Sequence, residues 1–102
     1  MGIEKDLGVG MKLILYSKPE CHLCEGLQEK LAQVQGVSVD LEIRDITTRD
    51  DWFQAYQYEI PVLIWQRDRP NSPPELIPLP RLSPRSSVAQ LEALLQKVLS
   101  AS

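Results

Sequence analysis

An α/β fold with element order β-α-β-α-β-β-α is predicted by three features of the 102-residue chain. Leu13-Ile14-Leu15 is a short run apolar on both faces, which reads as a buried central strand. Leu23, Leu27, Leu31 and Val34 then recur at helical spacing, giving the single apolar stripe of an amphipathic helix. Val37, Val39, Leu41 and Ile43 alternate with Ser38, Asp40, Glu42 and Arg44, the two-residue period of a half-buried strand. A helix between two strands suggests a parallel βαβ unit.

Taken in order, the first strand covers Lys12 to Tyr16 and breaks at Ser17-Lys18-Pro19-Glu20, because proline donates nothing to a ladder and biases Lys18 away from helix. The first helix runs from His22 to Gln35, with Gly36 as its C-terminal cap. After the second strand, Thr48-Arg49-Asp50-Asp51 resembles a capping box that opens a helix whose apolar face is Trp52, Ala55 and Tyr56. Ile60-Pro61-Val62-Leu63-Ile64-Trp65 reads as a strand opened by proline, a position where proline does little harm. Arg67 to Pro74 is turn-rich, and Glu75 to Leu79 is a shorter strand at an edge. Ser83-Pro84 begins a last helix with the stripe Val88, Leu91, Leu95 and Val98.

Length allows one domain with one core, spanning about residues 12–99, with residues 1–10 expected to form a flexible N-terminal segment. Composition is that of a globular protein, with 43% hydrophobic and 25% charged residues. No apolar run approaches the ~20 residues of a membrane span. Met1 to Gly10 lacks the apolar stretch of an export signal, so a cytoplasmic location is expected. The net charge of -3 disfavours binding to nucleic acid, since there is no surplus of Lys and Arg to neutralise phosphates. Neither a nucleic acid nor a membrane is expected as a partner, and the chain is expected to be a monomer.

The two cysteines of the chain flank His22-Leu23 where the first strand hands over to the first helix. A pair so close cannot frame a small secreted domain, and it fits a reducing compartment better. At a helix start the unpaired amides and the macrodipole stabilise an anion, raising the thiolate fraction of the first cysteine. Cys21 is therefore the candidate nucleophile, and Cys24, one turn on and less exposed, is the candidate resolving thiol. Lys18 would add a positive field, whereas Glu20 and Glu25 would oppose thiolate formation. A protonated His22 would tune the neighbouring thiolate; a neutral one merely fills an exposed position between the cysteines.

Leu15-Tyr16-Ser17-Lys18-Pro19-Glu20-Cys21-His22-Leu23-Cys24 resembles the active-site segment of glutaredoxins, and Ile60-Pro61-Val62-Leu63 resembles the proline and strand that follow it in that family. The element order matches from about Lys12 to Leu99. The resemblance implies a thioredoxin-like fold of glutaredoxin type, with a central four-stranded mixed sheet flanked by helices. It implies a cis bond before Pro61, which would sit beside Cys21 and expose the backbone of Ile60 to an extended thiol substrate. It places Lys18 near the carboxylate of a bound glutathione. Glutaredoxins carry a Gly-Gly pair after the last strand, followed by an acidic residue that helps hold glutathione. This chain instead has Pro78-Leu79-Pro80-Arg81-Leu82-Ser83 there, and prolines limit backbone approach and remove donors.

The expected activity is thiol–disulfide exchange through Cys21 and Cys24, with no bound cofactor. Substrates would be a protein disulfide or a glutathione mixed disulfide, and glutathione is a candidate reductant. Two alternatives stand beside it. Paired thiolates of two chains would together supply a metal or iron–sulfur site, since one chain offers too few ligands. The fold also serves as a redox-inert interaction module. Arg81, Arg85 and the Arg67–Pro74 stretch read as solvated surface, and Trp52, Phe53, Tyr56, Tyr58 and Trp65 read mostly as core and half-buried packing.

Overall fold

The computed structural model describes residues 10–101. Four strands and three α-helices alternate as β1 (Gly10–Ser17), α1 (His22–Gln33), β2 (Ser38–Asp45), α2 (Asp50–Tyr56), β3 (Val62–Arg69), β4 (Ser72–Pro78) and α3 (Val88–Ala101), with a 3-10 turn at Ile46–Thr48. The expectation of a flexible segment over residues 1–10 lies outside the described residues except for Gly10, which starts β1.

The strands form one mixed sheet in the order β2-β1-β3-β4. β1 pairs with β2 in parallel, Leu13 opposite Leu41, and with β3 antiparallel, Ile14 opposite Ile64. β4 closes the sheet antiparallel to β3. The central position of β1 explains its apolar run: Met11, Leu13 and Leu15 are buried on one face while Ile14 and Tyr16 are buried on the other. Each face has its own cluster. On the first, Met11, Leu13 and Trp65 pack with Leu31 of α1 and with Leu91 and Leu95 of α3. On the second, Ile14, Tyr16, Ile46 and Ile64 pack with Trp52, Phe53 and Tyr56 of α2.

Several boundaries differ from the sequence expectation for local reasons. Gly36 does not cap α1, whose C-cap is Val34; it turns the following loop with φ +83, and Glu92 of α3 holds that loop by accepting from the Gln35 amide. Thr48 and Asp51 form no capping box. Asp45 instead caps the 3-10 turn by accepting from the Thr47 amide, and Asp51 pairs with the guanidinium of Arg49, the N-cap of α2, whose side chain makes no capping bond. The turn expected over Arg67–Pro74 shrinks to Pro70-Asn71, Asn71 having φ +60, because β3 and β4 extend into it and pair through a bulge between Arg67 and Arg69. Ser83-Pro84 does not begin α3. Ser86 N–H bonds back to the Ser83 carbonyl in a turn, and the helix is capped later by Ser87, whose hydroxyl accepts from Gln90 while the Gln90 side chain accepts from the Ser87 amide. Ile43, expected inward, is 45% exposed on the edge strand.

Candidate active site

Cys21 owes its place to the turn between β1 and α1. Glu20 adopts a left-handed conformation (φ 65), which reverses the chain after Pro19 and leaves Cys21 extended as the N-cap of α1. Its carbonyl accepts the first helical bond from Glu25, and its Sγ accepts from the Cys24 amide at 3.2 Å. That amide is one of the donors a helix start leaves unsatisfied, so a backbone dipole points at the Cys21 sulfur. The two sulfurs are joined as a disulfide, with Cα atoms 5.3 Å apart. Exposure divides the pair as the helix geometry requires: Cys21 is half-buried and Cys24 is 3% exposed.

The remaining candidate residues spread around this pair. His22 points into solvent, its Nδ1 3.6 Å from Glu25 Oε1. Lys18 is exposed on the preceding loop and pairs with no carboxylate among the described residues. The Ile60–Pro61 bond is cis. Pro61 lines the same cavity as His22 and Leu23, which ties the proline loop to the dithiol helix. Ile60 is half-buried against the second cluster, and its amide already donates to the Tyr56 carbonyl at 3.1 Å. The amide of Ile60 is therefore already paired within the chain, whereas no described backbone amide donates to its carbonyl.

On the second face the end of β1 is tied into an aromatic cluster. Tyr16, at the end of β1, stacks on Tyr56 with centroids 4.2 Å apart and meets Trp52 edge-on. Arg44 donates to the Tyr16 hydroxyl at 2.9 Å and lies over both the Tyr16 and Trp52 rings. Burial, followed by the neighbouring Tyr16, pushes the Tyr56 phenol above its ordinary range. Of the aromatic residues read as packing, Trp65 is in the first cluster and Trp52, Phe53 and Tyr56 are in the second, whereas Tyr58 is 89% exposed on the loop that leads to Pro61.

The sequence did not reveal a cavity of about 440 Å³ beside the dithiol. α1 forms one wall with Leu23, Gly26 and Leu27, and the segment Leu79–Pro84 forms the opposite wall. That proline-bounded strap occupies the place of the expected Gly-Gly pair, and three hydrogen bonds fix it. Leu79 N–H donates to the Leu63 carbonyl, Arg81 to the Glu59 carbonyl and Lys30 Nζ to the Pro84 carbonyl. Arg81 is therefore a clasp on the loop before Pro61 as well as a surface cation. The one readable signal was Gly26, an unfavoured residue in the middle of a helix.

The sequence matches the Glutaredoxin-like domain (DUF836) over residues 12–96. No curated protein and no solved structure matches it. The matched span begins in β1 and ends in α3, so it takes in the dithiol, Pro61, the strap and all of the sheet except Gly10 and Met11. The chain therefore belongs to the glutaredoxin-like family, and its β2-β1-β3-β4 sheet with three helices is a glutaredoxin-like thioredoxin fold.

Proposed function

We propose that the protein is a thiol–disulfide oxidoreductase in which Cys21 attacks and Cys24 resolves. The observation that carries the reading is the asymmetric pair at the start of α1: a half-buried Cys21 sulfur held by the Cys24 amide and bonded to a buried Cys24. In the reduced protein the same amide stabilises a Cys21 thiolate, the nucleophilic form. That thiolate attacks one sulfur of a substrate disulfide, forming a Cys21 mixed disulfide and expelling the other substrate sulfur as a thiolate. Cys24, deprotonated as it reacts, then attacks Cys21 Sγ, releasing the second substrate thiolate and leaving the Cys21–Cys24 disulfide. The substrate gains two electrons and the dithiol loses two. One external dithiol, or two external thiols such as glutathione, return the protein to its reduced state.

One chain carries both sulfurs, so the cycle needs no second copy and no bound cofactor. A dithiol that must be reset fits a reducing compartment, which makes the cytoplasm the proposed location. Among the described residues no helix is long and apolar enough to cross a membrane. Cys21→Ser is expected to reduce turnover of disulfide substrates to the uncatalysed background, while Cys24→Ser accumulates a mixed disulfide on Cys21, read as a mass increase on the intact protein. Normal dithiol turnover by Cys21→Ser would overturn the assignment, and a mixed disulfide trapped on Cys24 would reverse the roles.

A further inference from the structure

We infer that the cavity beside the dithiol receives a large apolar side chain next to the half-cystine of a polypeptide substrate, so that the preferred substrates are protein disulfides flanked by such residues. The inference rests on the thiol–disulfide reading and adds the substrate class. Leu23, between the two cysteines, and Pro61 both line the cavity, so its rim is built by the residues next to the dithiol although neither sulfur lines it. Its volume of about 440 Å³ lies in the range of small-ligand pockets. Leu23 and Leu82 leave 52% and 36% of their surface exposed on its two walls, apolar area that a substrate would cover.

Gly26 gives an independent reason to regard this space as functional. It lies inside α1, where glycine is the least favoured residue after proline, and its backbone does not require glycine, since its φ is not positive. A Cβ built on it meets no atom within 4 Å, so no neighbouring element demands its small size. What its missing side chain does is leave the cavity open.

The charges around the cavity do not suit a small anionic thiol. Lys30 is engaged by the Pro84 carbonyl, Arg81 by the carbonyl of Glu59 with that residue's carboxylate 3.9 Å away, and His22 faces Glu25. At the start of α3, another place for a carboxylate, the Ser87 and Gln90 amides are already taken by the reciprocal Ser87 and Gln90 bonds. A tripeptide with two carboxylates would find the cations that line the cavity already committed, and Lys18, exposed on the loop before Cys21, is outside that lining, whereas an apolar side chain needs none of them. The strap is held before any ligand arrives, so binding does not have to order it.

The test uses the reduced full-length protein and three chromogenic mixed disulfides: an uncharged peptide with Leu on both sides of its cysteine, the same peptide with Gly there, and glutathione. Bis(2-hydroxyethyl) disulfide serves as a small substrate without flanking residues. The Leu peptide is expected to exceed the Gly peptide and glutathione in kcat/KM by about tenfold or more, the gain from burying one large apolar side chain. Gly26→Leu, which fills the cavity from α1, is expected to erase most of that preference, and Leu82→Asp to narrow it. Equal rates on all three mixed disulfides, or a preference for glutathione, would overturn the inference while turnover of the small disulfide upholds the redox reading. A preference that survives Gly26→Leu would also overturn it. Failure with every substrate, the small disulfide included, would remove the redox reading and the inference with it.

Discussion

Gly36 shows how much one backbone angle can decide. At φ +83 an L side chain is strained, and a Cβ there would lie 2.6 Å from Glu92 Oε2 and 3.0 Å from Gln96 Nε2. Glu92 is a flexible chain and can withdraw, but doing so releases the Gln35 amide it holds at 3.2 Å. Gly36→Ala is therefore expected to cost about 1–2 kcal/mol, the penalty of the left-handed conformation, with part of the loss coming from the loop's tie to α3. A lowered urea midpoint at unchanged slope would establish it, and an unchanged midpoint would refute it. A glycine after the apolar stripe was legible as a helix cap, whereas the helix is capped at Val34 and Gly36 turns the loop beyond it. The partner of that loop was not legible, because Glu92 lies far along the chain and only the tertiary fold brings the two together. The same divide runs through the dithiol. The asymmetry of Cys21 and Cys24 follows from helix spacing alone, whereas the left-handed turn at Glu20 that places Cys21 at the N-cap has no signal in a glutamate.

At the scale of elements, α1 carries a conflict between stability and use. An interior glycine disfavours a helix relative to alanine by about 1 kcal/mol. Gly26 has open space where its Cβ would be, so nothing offsets that loss within the folded chain. Gly26→Ala is accordingly expected to raise stability by about 1 kcal/mol, checked by thermal or urea denaturation. A destabilised Gly26→Ala would mean that the glycine serves packing rather than an open cavity. Element edges were harder to read than element types. Ser83-Pro84 and Ser87-x-x-Gln90 both carry helix-start chemistry, and the Ser83–Ser86 turn together with the Lys30 bond to Pro84 decides for the later one. The strap itself, a run of prolines, reads in sequence only as a place where a glycine pair is missing. Its role as a cavity wall depends on Leu63, Glu59 and Lys30, which belong to three other segments.

For the molecule as a whole, the central question is whether two cores on opposite faces of one sheet unfold as one. They share β1 and β3, whose alternate residues feed opposite clusters: Leu13 and Trp65 the first, Ile14 and Ile64 the second. Losing either face removes the support of strands the other needs, so a single transition is expected. Leu95, fully buried in the first cluster, supplies the perturbation: Leu95→Ala should cost about 2–5 kcal/mol through lost burial and the cavity left behind. That is a large share of the roughly 5–15 kcal/mol that holds a domain of this size folded. The two tryptophans report separately, Trp65 from the first face and Trp52 from the second. In Trp52→Phe and Trp65→Phe backgrounds, the fluorescence midpoint in urea should coincide with the far-ultraviolet circular dichroism midpoint, with or without Leu95→Ala. If Leu95→Ala lowered the Trp65 midpoint and left that of Trp52 in place, the faces would be separate units. The Tyr16 and Tyr56 stack of the second face would then outlast the cavity wall built on the first.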